Sequence, residues 1–163
     1  MMEKTLILLK PDAVQRGLMG KIITRFEDAG VKVIGMKMVW ADEEFAKQHY
    51  TEDIAKRRGE KVRKQLLEFI SEGPVVAMCL EGIQVIENVR KMVGETEPKS
   101  AQPGTIRGDF AHMSFSYADK TEKAVPNLIH ASGDKKDAEY EVKLWFTEEE
   151  LHSYTTVHEL HVF

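Results

Sequence analysis

One cysteine, Cys79, stands in the whole chain, so no intramolecular disulfide can form. Its neighbours Val75, Val76, Ala77, Met78 and Leu80 are apolar, which reads as a buried thiol and fits a reducing compartment. Long apolar runs are missing too. Leu6 to Leu9 is broken by Lys10, Pro11 and Asp12 before it reaches signal-peptide length, and nothing approaches the roughly 20 apolar residues of a membrane span. A cytoplasmic, membrane-free protein is the expectation. There is no excess of positive charge: the net charge of −4 and a pI near 5.9 argue against a dedicated nucleic-acid binder. No repeat of solenoid period and no low-complexity tract occurs, which excludes a repeat array or a disordered linker.

What is present suffices for one compact unit. The 163 residues are 42% hydrophobic, enough for a core without cross-links, and a single domain over residues 1–163 is expected. Thr5 to Leu9 reads as a short buried strand ended by Pro11. Ile22, Ile23 and Phe26 lie at helical spacing over Gly20 to Ala29, with Gly30 as the stop, and Val31 to Trp40 reads as a second strand. Asp42 can cap a short helix through Tyr50. Asp53 to Lys64 is a charge run expected on the surface, followed by the apolar positions Leu66, Leu67, Phe69 and Ile70. Gly73-Pro74 punctuates the chain before Pro74 to Leu80, which is apolar on both faces and therefore a central strand. Ile83 to Val93 is a helix that carries Arg90 near its end, and Lys136 to Phe146 another, followed by a capping box from Thr147 to Glu150. With a last strand around Leu128 to Ala131, the order is an α+β βαββαβ arrangement with additional helices.

The chemistry concentrates around Asn127-Leu128-Ile129-His130-Ala131-Ser132-Gly133-Asp134. His130 follows an apolar pair and precedes small residues, so its imidazole is either a hydrogen-bonded core group or a nucleophile open to a large anionic substrate. Glu141 lies eleven positions on, on the following helix, where it can be solvated or can orient the imidazole. Lys10 at the mouth of the first strand and Arg107 between turn residues each read alone as solvated cations, or as phosphate contacts. Tyr50 reads as a half-buried aromatic whose hydroxyl faces water. The region from Gly94 to Pro126 is longer than ordinary loops and should be functional or disordered. His152, His158 and His161 lack the ligand frame of a metal site and are expected at the surface.

Lys10-Pro11-Asp12-Ala13-Val14, Gly73-Pro74-Val75-Val76-Ala77-Met78, Arg90, Gly94-Glu95-Thr96, Pro103 to Phe110 and Asn127-Leu128-Ile129-His130 together resemble the nucleoside diphosphate kinase family, in the family's order and over nearly the whole chain. The resemblance implies a ferredoxin-like βαββαβ fold with a four-stranded antiparallel sheet, and Mg²⁺-assisted transfer of a γ-phosphate from a nucleoside triphosphate, typically ATP, to a nucleoside diphosphate through a phosphohistidine. It implies His130 as the phosphorylated nucleophile, oriented by Glu141, and Lys10, Arg90, Thr96 and Arg107 as phosphate contacts. Asn127 with Lys10 is implied at the ribose hydroxyls, and Tyr50 near the γ-phosphate. Phosphate binding by side chains fits the absence of a G-x-x-x-x-G-K-[ST] loop. The family also implies a homo-oligomer, a hexamer before a tetramer, with Mg²⁺ carried on the nucleotide and no protein metal site.

Three features depart from the family pattern. Ala131 stands where glycine is usual; the family's aromatic shelf for the base falls near Val62; and Ser114 to Val125 is an insertion before the last strand. The competing reading is a catalytically inactive nucleotide-binding relative, or an RNA-binding or regulatory module of the same fold. Leu6 to Leu9 and Val75 to Leu80 carry none of the aromatics an RNA-binding sheet would use.

Overall fold

A computed structural model describes residues 2–163. Strands β1 (Met2–Leu9), β2 (Lys32–Val39), β3 (Val75–Ile83) and β4 (Ile129–Ala131) form one antiparallel sheet in the order β2-β3-β1-β4. Helices α1 (Pro11–Gln15) and α2 (Met19–Asp28) join β1 to β2. Three helices then cross from β2 to β3: α3 (Glu43–His49), α4 (Glu52–Arg58) and α5 (Glu60–Ser71). Helix α6 (Val85–Val93) follows β3, while α7 (Ile106–Phe110) and α8 (Phe115–Thr121) lie in the long segment before β4. Helices α9 (Lys135–Trp145) and α10 (Val157–His161) close the chain. The architecture is the expected ferredoxin-like one, with α3 to α5 as the principal addition.

The central strands are apolar on both faces because both faces are covered. Ile7 and Leu9 of β1 pack with Met78 and Leu80 of β3 against Ile22 and Phe26 of α2 and Val89 of α6. Their alternates Leu6, Leu8, Ala77 and Cys79 pack against Ala46, Ile70, Val142 and Trp145 from α3, α5 and α9. Burial pushes the Cys79 thiol up to about 12, so it stays protonated at neutral pH.

The region from Gly94 to Pro126 is ordered into short helices. Thr105 caps α7 by accepting from the Gly108 amide, and Ser114 caps α8 by accepting from the Tyr117 amide. The insertion is thus largely a helix. In the tail, His152 and His161 are exposed as expected, but His158 is half-buried over Gly30, where a Cβ would come within 2.5 Å of its ring. Lys32, buried in β2, pairs with Glu81 at 3.3 Å and with Glu159 of α10 at 3.2 Å, fixing that tail to the sheet.

Candidate active site

Strand β4 decides where His130 points. His130 lies opposite Leu8 in the β1–β4 register, so its side chain leaves the sheet on the face that α3 and α9 cover, while neighbouring Ile129 enters the other core. The approach to the strand is held rigid. Leu128 has φ of +70°, unusual for a branched residue; its amide donates to Asp12 Oδ2 at 3.0 Å and its carbonyl accepts from the Lys10 amide at 2.8 Å. Ala131 has no such φ, so the methyl group in place of the family's glycine is unstrained.

The imidazole is fixed from one side. His130 Nε2 lies 3.0 Å from both Glu141 oxygens, and Ser132 Oγ donates to Glu141 Oε2 at 2.6 Å. Burial opposes ionisation of Glu141, but His130, His49 and the Ser132 hydroxyl outweigh it and hold the carboxyl below its ordinary value. An ionised carboxylate accepts, so Nε2 carries the proton and Nδ1 keeps its lone pair. That leaves a nucleophilic nitrogen on a ring that cannot turn freely.

His49 packs edge to face on this ring, with centroids 4.6 Å apart, and sequence reasoning missed it. The signal was the run Phe45, Ala46, His49 at helical spacing on α3, which meets Trp145 of α9. Trp145 Nε1 donates to His49 Nδ1 at 3.3 Å, and burial holds His49 down to about 3, so it is neutral. His49, His130 and Glu141 lie close enough to suggest a metal cluster. The lone pair on His49 Nδ1 is engaged by Trp145, however, and its Nε2, which has no partner, then bears a proton, so the ring has no lone pair left for a cation.

Cations converge on the open side. Lys10 and Arg107 are buried, not solvated, and Tyr50 is buried at 5% exposure rather than half-exposed to water. Lys10 Nζ donates to Asn127 Oδ1 at 2.8 Å, and Asn127 Nδ2 donates to the Thr96 carbonyl at 2.8 Å. Burial, with Arg107 nearby, lowers Lys10 to about 7. Arg107 donates to the carbonyls of Asn127, Gly94 and Ile129 at 3.1, 3.0 and 2.5 Å, and although burial and Arg90 lower it to about 10, it stays charged at neutral pH. Burial raises the Tyr50 hydroxyl, which keeps its proton. All nine residues singled out in the sequence, His130, Glu141, Lys10, Tyr50, Arg90, Thr96, Arg107, Asn127 and Val62, line one cleft of about 1060 Å³.

A sequence model of the nucleoside diphosphate kinase family matches residues 3–151. The chain belongs to that family. It is 46% identical to a nucleoside diphosphate kinase of Borreliella burgdorferi over 94% of this chain and 93% of that protein, and 49% identical to one of Pyrococcus abyssi over 93% and 89%. Among solved structures, the Borrelia burgdorferi enzyme as a transition-state mimic with bound vanadate and ADP superposes with a TM-score of 0.95 at 45% identity, covering 97% of this chain and 95% of the other. The Halobacterium salinarum enzyme in complex with CDP gives 0.85 at 37% identity, with 100% and 99% covered. The family's members share the ferredoxin-like sheet described above, and the departures at Ala131, Val62 and Ser114 to Val125 are accommodated within it.

Proposed function

We infer that this chain is a nucleoside diphosphate kinase that moves the γ-phosphate of a nucleoside triphosphate to a nucleoside diphosphate by way of His130. The observation that carries the reading is the Glu141 to His130 Nε2 contact at 3.0 Å, which leaves Nδ1 free to attack. In the first half-reaction the Nδ1 lone pair forms a bond to the γ-phosphorus, and the bond to the β–γ bridging oxygen breaks with its electrons leaving on the nucleoside diphosphate. In the second, a terminal β-phosphate oxygen of the acceptor attacks, and the P–N electrons return to Nδ1. Positioned cations do the rest of the work in phosphoryl transfer. Lys10, Arg90 and Arg107 face the phosphates, with the Thr96 and Tyr50 hydroxyls as donors and Asn127 with Lys10 at the ribose.

Mg²⁺ enters as part of the nucleotide. Glu141, the carboxylate in contact with the His130 ring, is already engaged by His130 and Ser132, which supports a metal carried on the nucleotide rather than in a protein cage. Residues 1–163 act as one domain. A homo-oligomer is supported by edge strand β2 and the residue that follows it, which expose Met36, Met38 and Trp40 at 58, 56 and 67%; a hexamer before a tetramer rests on the family resemblance. No helix among the described residues is long and apolar enough to cross a membrane. A cytoplasmic location rests on the single buried thiol.

The test is incubation with γ-labelled ATP and Mg²⁺ beside His130→Asn. Acid-labile, alkali-stable label is expected on the parent, discharged by added nucleoside diphosphate and absent from the variant. ATP binding without label would make the chain an inactive relative. Light scattering on a column that returned a monomer would remove the oligomer.

A further inference from the structure

The cleft is lined by two kinds of surface. Lys10, Arg90 and Arg107 line it with His130, while Ile54, Val62 and Leu66 from α4 and α5, among Arg57, Arg58 and Gln65, and Phe115 and Ala118 from α8 add apolar wall. A nucleotide likewise joins anionic phosphates to a flat, weakly polar base. An apolar wall receives a base best through an exposed aromatic face, and Val62 cannot supply one.

Among the described residues, the aromatic rings along the cleft differ in availability. Tyr50 is packed on His49, with ring centroids 4.7 Å apart, and Tyr140 is tied through its hydroxyl to the Gln48 carbonyl at 2.8 Å. Phe115, the first residue of α8, leaves 44% of its surface exposed and lines the cleft. Its position is prepared. The Phe115 amide donates to Glu97 Oε1 at 2.9 Å, the Lys99 amide donates to the Met113 carbonyl at 3.0 Å, and Ala118 seats the helix at 2% exposure. The far end of the segment reaches the opposite wall, where Glu122 pairs with Lys61 at 2.9 Å, beside Val62. Both partners are more than half exposed, so this clasp opens at little cost when a ligand enters.

We propose that the α8 insertion is the second wall of the nucleotide site, and that Phe115 is the surface on which the nucleobase stacks. The proposal rests on the kinase reading above and adds to it the residue that holds the base. Because stacking accepts any π-face, the shelf predicts binding without strong discrimination among bases. The Lys61–Glu122 pair closes the mouth beside it.

The test is steady-state kinetics of Phe115→Ala with ADP and GDP as acceptors, beside ribose 5-diphosphate, which has no base. Loss of stacking is expected to raise KM for both nucleotides on the order of 10-fold with kcat little changed. The base-free acceptor should show no comparable rise. Phe115→Trp should restore the parent KM, and its fluorescence should be quenched by ADP. An unchanged KM in Phe115→Ala, or an equal rise for ribose 5-diphosphate, overturns the proposal while leaving the kinase intact. A parent that transfers no phosphate overturns the kinase reading instead, and nucleotide quenching of Phe115→Trp still tests the shelf because it needs no turnover.

Discussion

Ser132 Oγ donates to Glu141 Oε2 at 2.6 Å while accepting the Leu6 amide at 3.1 Å. The carboxylate that faces His130 is therefore anchored through a hydroxyl to the backbone of β1. Ser132→Ala leaves the Leu6 amide without its acceptor and one Glu141 oxygen without its donor, all of it buried. Stability should fall by about 1–3 kcal/mol in urea denaturation. Phosphorylation of His130 should slow as well, because the ring loses a fixed tautomer partner. Glu141→Gln should slow it further, on the order of 100-fold, with little loss of nucleotide affinity. Equal rates in the parent and both variants would remove Glu141 from the mechanism.

Lys10 makes binding depend on pH. Its ordinary value of 10.5 falls to about 7 through burial, with Arg107 adding to the effect. An anionic phosphate beside it favours the charged form and moves it back up. Between about pH 7 and 10.5, then, nucleotide binding should take up a proton, and affinity should weaken as pH rises through that window. The free protein obeys the same linkage with the opposite consequence. The unfolded chain binds more protons there, so this lysine's contribution to stability is complete above the unfolded value and is lost as pH falls toward 7. Calorimetric titration with ADP at about pH 8.5, in buffers of different ionisation heat, measures the uptake. Heats independent of the buffer would contradict it.

His49 should make the fold acid-sensitive. Its ordinary value of 6.5 is depressed to about 3 by burial, with His130 next in weight. The unfolded chain takes up a proton that the folded one refuses, so stability present above about pH 6.5 is lost as pH falls toward 3. His49→Gln removes that titration. The variant should be less stable at neutral pH, having lost its packing on His130 and Trp145, yet show a shallower decline between about pH 6.5 and 4. Denaturation curves across that range that stay parallel for the two proteins would falsify the assignment.

Much of this architecture was legible because its signals are periodic. Ile22 and Phe26 at helical spacing, the doubly apolar run from Val75 to Leu80 and the Thr147–Glu150 capping box all report local physics, and each lies where the pattern put it. Lys10 and Arg107 could be singled out as cations, but not as buried ones, since what buries them comes from Asn127, Gly94 and Ile129, far along the chain. The α7 and α8 helices escaped notice because each is short and capped by one hydroxyl, without an apolar stripe long enough to show a period. His49 escaped for a different reason. Its neighbour Trp145 lies on α9, and no sequence spacing announces a contact between helices that pack on the same sheet.

Arg107 joins three segments: the residue after α6, the residue before Leu128, and the closing strand itself. An extracellular domain would close so long an excursion with a pair of cysteines; this chain, with one thiol, does it with a guanidinium. The cross-link shortens the loop's freedom as a disulfide would, without a covalent bond. It also carries a charge, so the group that shuts the loop is the one an anion is drawn to. Loop closure and electrostatic attraction rest in this protein on a single side chain, and Arg107→Lys would keep the charge while losing the planar fork that reaches all three carbonyls.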